Sequence, residues 1–278
     1  MPELPEVETI KNQLADKIIG KKIAKVEIRL AKLIKGVSAL VFKNKLKNAV
    51  IQDVSRRAKL LIIKISNGYS LLIHLKLTGQ LIFMEHETDS MEHQKYTHLI
   101  YHFSDKSALI YNDLRQFGYV KLVKTADLEK IFEQEKYGPE PLKKDFTLKK
   151  FQEILFKKLR LKIKPLLMDQ SFIAGIGNIY AQEACFCAKI LPTRTVKSLS
   201  EKEIKNLYHC LISILKQAIK DKGSSVENYV DASGNKGTYV LKLKVYGRED
   251  QKCFRCKSKV KKMVLAGRGT YYCPNCQK

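Results

Sequence analysis

The chain has 278 residues, 52 of them Lys or Arg and 28 Asp or Glu, so its formal net charge is +24, and 45% of its residues are hydrophobic. That apolar share excludes wholesale disorder, and the length suits one large domain or two to three smaller ones. The charge excess points to a polyanion, nucleic acid or an anionic membrane surface, although lysines scattered along the whole chain would also follow from a Lys-rich proteome.

The N-terminus, Met-Pro-Glu-Leu-Pro-Glu, has acidic residues and prolines where a signal peptide has a basic and then an apolar region. The longest apolar stretches, 60–63 and 69–73, fall far short of the roughly 20 residues of a membrane span. Seven cysteines in such a chain argue for reduced thiols or metal ligands instead of disulfides, and for a cytoplasmic, chromosome-associated protein. Residues 6–19 have helical periodicity, with Val7, Ile10, Leu14 and Ile18 on one stripe and Gly20 as a stop. Pro2 lies just outside that helix.

From Ile23 to about Val123 the pattern is that of strands. Runs at 58–65 and 69–77 flank Asn67-Gly68, a hairpin signal, and further strands are expected at 81–84, 97–103, 108–111 and 119–123. Many short strands at close spacing predict a β-sandwich or barrel. Lys59 stands in an apolar strand, where a lysine can guard a sheet edge. Tyr137-Gly-Pro-Glu-Pro141 breaks the pattern as a linker. Helices are expected at about 147–158, 165–170, 178–187 and 200–221, then a Gly/Ser/Asn-rich loop at 223–237, of a length uncommon without a function. There is no internal repeat.

The last forty residues hold two strands and two C-x-x-C pairs, Cys253/Cys256 and Cys273/Cys276, with 16 residues between them. Two such knuckles complete a thiolate tetrahedron, and four protein ligands leave no open position, so one structural zinc ion is expected. Cys185, Cys187 and Cys210 have no such spacing and read as ordinary helix and core cysteines.

Pro2 carries chemistry if Met1 is removed. Its α-amine, with a pKa of about 7.7–8.0, is partly neutral near pH 7 and nucleophilic, and a secondary amine condenses to a cationic iminium that drains electrons from its neighbour. A simple helix-capping proline fits the same two residues. The wider pattern separates the readings. Met-Pro-Glu-Leu-Pro-Glu-Val, Arg56-Arg-Ala-Lys59, His74-Leu-Lys-Leu-Thr-Gly79, Arg115-Gln-Phe-Gly118, Tyr137-Gly-Pro-Glu-Pro-Leu142, Lys164-Pro-Leu-Leu-Met-Asp-Gln170, Gly175-Ile-Gly-Asn-Ile-Tyr180, Val245-Tyr-Gly-Arg248 and Gly267-Arg-Gly-Thr-Tyr-Tyr-Cys273 run through the chain in order. Together with the zinc ribbon they resemble the bacterial formamidopyrimidine-DNA glycosylase family over essentially the full length.

The resemblance implies an α+β protein: an N-terminal antiparallel β-sandwich flanked by helices, then a helix-two-turn-helix domain ending in a zinc-ribbon β-hairpin. The expected divisions are 1–135, 136–222, a lesion-recognition loop and connector at 223–250, and the zinc finger at 251–278. It implies a bifunctional glycosylase and AP lyase of base excision repair, acting on formamidopyrimidines and 8-oxoguanine in damaged double-stranded DNA by base flipping. By the same resemblance Pro2 attacks C1′, Glu3 moves protons, Lys59 assists base loss and β-elimination, and Arg268 clamps a phosphate for δ-elimination. Glu6 is a secondary candidate. Leu77, Arg115 and Phe117 match residues that fill the gap left by the flipped base, and Tyr96, Arg160, Lys164 and Asn178 are further DNA contacts. Leu77, Tyr96 and Glu227 depart from the usual family residues. A monomer with no obligatory protein partner and no membrane is expected. Two alternatives remain: an endonuclease VIII-like enzyme for oxidised pyrimidines, against which Leu4, Arg115 and Phe117 speak, and a non-catalytic zinc-ribbon DNA-binding protein.

Overall fold

The computed structural model describes residues 1–86 and 95–278. The chain divides into two compact units, residues 1–134 with 219–240 and residues 135–218 with 241–278.

The first unit begins with α1 (Leu4–Ile18), whose buried stripe Val7, Ile10, Leu14 and Ile18 is the predicted one. The helix starts two residues earlier than its periodicity indicates, because Pro5 is tolerated in a first turn where no N–H is needed. Strands β1 (Ile23–Ile28), β7 (Thr97–Phe103), β8 (Ala108–Asp113) and β6 (Gly79–Met84) form one antiparallel sheet in that spatial order. The second sheet runs β2 (Ile34–Lys35), β9 (Tyr119–Lys124), β5 (Tyr69–His74), β4 (Leu60–Ile65) and β3 (Ile51–Arg57). Its one departure from the antiparallel expectation is the two-residue parallel pairing of β2 with β9. Leu81, Leu99, Tyr101 and Tyr111 of the first sheet share a core with Leu61, Ile63, Leu71, Ile73 and Val120 of the second, which makes the pair a sandwich.

Two helices of this unit escaped the sequence reading. In α2 (Ala39–Leu46) only Phe42 and Leu46 are buried, one i, i+4 pair among lysines, and the Ser38 hydroxyl caps it by accepting from the Val41 N–H at 3.3 Å. In α3 (Leu128–Gln134) Leu128 is buried with Leu60, Ile62 and Leu72 on the outer face of the second sheet.

The second unit holds α4 (Leu148–Phe156), α5 (Ile163–Met168), α6 (Asn178–Cys187) and α7 (Glu201–Lys220), then the hairpin β10 (Lys261–Leu265) and β11 (Arg268–Tyr272). Ser200 and Glu203 form a capping box on α7: the Ser200 N–H donates to Glu203 at 2.8 Å and the Glu203 N–H to the Ser200 hydroxyl at 3.3 Å. The period Ile204, Leu207, Leu211, Leu215 marks its buried face. Cys187 and Cys210 are joined by a disulfide, which corrects the expectation of unpaired thiols at these two positions. Their separation of 23 residues follows no spacing rule and depends on how α6 lies against α7.

Candidate active site

The first two residues of the protein precede a helix that is fixed before it begins. Leu4 and Val7 are fully buried at its start, and Glu3 and Glu6 form a reciprocal capping box in which the Glu3 N–H donates to Glu6 Oε2 at 2.8 Å. The other Glu6 oxygen accepts from the backbone N–H of Ser224 at 2.8 Å and from its hydroxyl at 3.1 Å. One buried carboxylate therefore brackets the N-terminus and the start of the 223–237 loop. Gly223 is required at that junction: its φ is +84, where only glycine is unstrained, and a Cβ would lie 2.9 Å from Glu6 Cγ. Pro2 and Glu3 are both buried. With Met1 in place, the terminal amine sits 3.8 Å from Glu227 Oε2.

Lys59 follows Ala58, whose φ of +53 turns the chain between β3 and β4. Arg56 ties that turn to α1. Its Nε donates to Glu8 at 2.8 Å and its Nη1 to the Ala58 carbonyl at 2.7 Å. Burial pushes the Glu8 carboxyl up, but hydrogen bonds and charge from Lys11 and Arg56 outweigh it and hold the group below the usual carboxylate range. Lys59 itself is 8% exposed, so the reading of an exposed edge-strand lysine does not apply.

His74 ends β5, and its Nδ1 accepts from the Lys76 N–H at 3.0 Å. Burial, with added repulsion from Lys76 and Lys59, pushes its imidazole down to about 3. The folded state thus binds no proton at His74 where the unfolded chain does, and stability falls as pH drops through about 6.5 toward the folded value. Urea unfolding at pH 7 and pH 5 should show wild type losing about 1–2 kcal/mol more than His74→Gln over this interval. Parallel pH dependence in the two proteins would rule this out.

Leu77 and the pair Arg115/Phe117 sit on separate loops that one residue joins. Asp113, at 0% exposure, accepts from the Thr78 hydroxyl at 2.5 Å through Oδ1 and from the Gly118 N–H at 2.8 Å through Oδ2. The Arg115 N–H in turn donates to the Thr78 hydroxyl at 2.9 Å. This holds Phe117 56% exposed, with the Arg115 guanidinium 5.0 Å from its ring centre. An exposed ring presented by a fixed loop is not core packing. Asp113→Ala leaves several buried donors without acceptors and should cost about 3 kcal/mol in urea unfolding, with Asp113→Asn intermediate. Beside these loops is a cavity of about 450 Å³ lined by Thr78, Gln80, Tyr96, Asn112, Tyr229 and Lys236.

In the second unit the four thiols of Cys253, Cys256, Cys273 and Cys276 lie within 4.8 Å of one another. The Sγ separations Cys253–Cys276 and Cys256–Cys273 are 3.9 and 3.4 Å. Zn–S bonds of about 2.3 Å in a tetrahedron demand edges of about 3.8 Å, so the cluster fits one zinc ion. The hairpin turns through Ala266 and Gly267, both at positive φ, as a two-residue primed turn requires, and Arg268 is exposed at its exit.

Helices α5 and α6 brace that strand. Asn178 Nδ2 donates to the Gly269 carbonyl at 3.2 Å, and the Tyr271 N–H donates to Gln182 Oε1 at 2.6 Å. Lys164 is 0% exposed and donates to the Thr270 hydroxyl at 2.6 Å. Glu183 accepts three backbone N–H groups, from Lys244, Val245 and Tyr246, each at 2.9 Å. Arg160 lies on an exposed loop after α4. Sequence reasoning missed Asp113, Gln182 and Glu183. All are acidic or amide side chains whose partners are turns and strands, and no spacing signals that.

Three family models match the chain: the formamidopyrimidine-DNA glycosylase N-terminal domain over residues 1–120, the H2TH domain of the same proteins over 137–230, and a zinc finger found in FPG and IleRS over 250–278. The formamidopyrimidine-DNA glycosylase of Heliobacterium modesticaldum is 41% identical over 278 residues, all of both chains. Among solved structures, the Lactococcus lactis Fpg in complex with abasic-site DNA is 38% identical with a TM-score of 0.91, covering 99% of each chain. The wild-type Lactococcus lactis protein bound to DNA containing N7-benzyl-Fapy-dG also has a TM-score of 0.91 at 38% identity, over all of both chains.

Proposed function

The chain belongs to the formamidopyrimidine-DNA glycosylase family and is a DNA glycosylase of base excision repair, and we propose that the Pro2 amine, freed by loss of Met1, is its nucleophile. The non-catalytic zinc-ribbon reading gives way to this family membership, and Leu4 with Arg115 and Phe117 favours oxidised purines over the endonuclease VIII-like preference for oxidised pyrimidines. The proposed substrate is double-stranded DNA carrying formamidopyrimidines or 8-oxoguanine. Pro2 attacks C1′ of the flipped nucleotide, the glycosidic bond breaks, and the base departs with a proton. The sugar opens to an iminium on the Pro2 nitrogen, whose positive charge makes the 2′ hydrogen acidic, so the 3′ and then the 5′ phosphate leave by β- and δ-elimination.

Glu3 serves as acid and then base beside the cationic sugar, Lys59 moves protons in base loss and the first elimination, and Arg268 neutralises a phosphate. The guanidinium is too weak an acid for more than that. Leu77, Arg115 and Phe117 fill the emptied stack, with Phe117 as wedge and Arg115 on the opposite base. Tyr96, Arg160, Lys164 and Asn178 belong to the DNA-facing set. For Lys164 the burial against Thr270 favours support of the Arg268 hairpin over direct phosphate contact. Zinc, held by the four cysteines, fixes that hairpin and takes no part in the reaction. The division into a catalytic sandwich (1–135), H2TH (136–222), lesion loop (223–250) and finger (251–278) is kept as a functional one.

The observation that carries this reading is the Glu6 bracket, which joins the nucleophile's helix to the loop proposed to close over the base. It recasts Glu6 as a positioning residue. No helix among the described residues is long and apolar enough to cross a membrane, and a monomeric, cytoplasmic enzyme is the form proposed. The test is borohydride reduction during turnover of an 8-oxoguanine:cytosine duplex. A covalent adduct mapping to residue 2 is expected, and no adduct with verified Met1-free protein would overturn the assignment.

A further inference from the structure

The seven cysteines fall into three environments. Four form the zinc cluster. Cys185 is fully buried, and burial pushes its thiol up to about 12, so it stays protonated and unreactive. Cys187 and Cys210 are half-exposed and bonded to each other. A half-exposed disulfide can be reached by an external thiolate, and the neighbouring cysteines, sequestered by metal or by burial, do not compete for its sulfurs.

The bond sits at a mechanical junction. Cys187 is the last residue of α6, in the turn where a helix most readily frays. The two carbonyls at that end are gripped from the first zinc knuckle: Arg255, between the ligands Cys253 and Cys256, donates to the Phe186 carbonyl at 2.6 Å and the Cys187 carbonyl at 3.0 Å. Its guanidinium also lies 4.4 Å from the centre of the Phe186 ring, and Phe186 packs in one cluster with Cys253 and Cys273. The disulfide pins to α7 the same turn that docks Arg255.

We propose that Cys187–Cys210 is a reversible thiol–disulfide exchange site, opened and closed by a low-molecular-weight thiol/disulfide couple, and that its state sets how firmly the first zinc knuckle is held. In opening, an external thiolate attacks one sulfur of the pair, forming a mixed disulfide and releasing the other cysteine as a thiolate. A second external thiolate attacks the mixed disulfide, releasing the second cysteine and the oxidised couple. Both cysteine thiolates take up protons, the protein gains two electrons and the couple loses two, and closing is the reverse. With the bond open, the last turn of α6 frays more often, Arg255 loses its two carbonyls in those intervals, and the Cys253–Cys256 knuckle releases metal more readily. This inference does not depend on the role of Pro2.

Zinc-loaded full-length protein, equilibrated in oxidised or in reduced glutathione, provides the test. Alkylation followed by a non-reducing peptide map should show a Cys187–Cys210 cross-link in the oxidised couple and two alkylated thiols in the reduced one. Zinc transfer to a chromophoric chelator should be several-fold faster from the open protein than from the cross-linked one. Cys210→Ser should transfer zinc at the open rate in both couples, which separates the bond's effect from competition of glutathione for the metal. No cross-link in the oxidised couple, or equal transfer rates from cross-linked and open wild type, would overturn the proposal.

Discussion

A chain that keeps Met1 is expected to bind damaged DNA and fail to cut it. In that chain the Pro2 nitrogen is an amide, whose lone pair is delocalised into the carbonyl, so it neither attacks C1′ nor forms an iminium. In the proposed mechanism both half-reactions pass through the same nitrogen, so base release and strand cleavage should fall together. Single-turnover rates on an 8-oxoguanine:cytosine duplex should drop by about 10³-fold or more, at or above the middle of the roughly 10²–10⁴ range for one proton-transfer group, while the dissociation constant stays within a few-fold. The sharper comparison is Glu3→Gln in Met1-free protein. It should lower both rates by about 10²–10⁴-fold and still yield a slow borohydride-trapped adduct, because the amine survives. Since the Glu3–Glu6 capping box starts α1, a urea midpoint for Glu3→Gln must accompany the rates. Substantial base release from verified Met1-bearing protein would remove Pro2 from the mechanism.

How much of the fold and the site can be read in the sequence depends on how local each feature is. The metal site was legible because its chemistry is a spacing, two residues between thiols in each knuckle. Helix α6 and strand β7 were legible to the residue, one through its glycine-led start and the other through its β-rich run. Pro2 was not legible from its own chemistry. Its assignment rested on motifs spread across the chain, which is to say on resemblance. What stayed hidden was long-range and polar. Glu6 reaches Ser224 across 218 positions, Glu183 meets the 244–246 backbone across 61 to 63, and Asp113 acts on loops 35 residues before it and five after it. Carboxylates that accept backbone N–H groups look in sequence like any solvated acid. The Cys187–Cys210 bond is hidden for a related reason: its pairing belongs to helix packing, carries no metal-type spacing, and lies in a chain whose N-terminus does not resemble a signal peptide.

The second large effect follows from what holds the hairpin together. Its core cluster has only Phe186, Val245 and Val260 as buried residues besides the ligands Cys253 and Cys273. Three apolar side chains contribute about 1.5–3 kcal/mol each, whereas a structural zinc ion contributes roughly 10–16 kcal/mol. Metal therefore dominates, and its removal should unfold residues 251–278 as a block. The sandwich should survive, since its core is built from Leu, Ile, Val and aromatic side chains without any cysteine. Hydrogen exchange on chelator-treated protein is expected to show β10 and β11 losing protection while β4, β5 and β8 keep theirs. Cys256→Ser should behave the same way without chelator. Arg268, at the exit of the freed turn, would no longer be presented by Asn178, Gln182 and Lys164, and loss of its proposed phosphate contact, about 1.5–3 kcal/mol for one charge-assisted bond, should weaken DNA binding by more than tenfold. Retained protection in β11 without metal would mean that the braces from α5 and α6 suffice. Loss of protection in β4 would mean that the sandwich depends on the finger in a way its own core does not require.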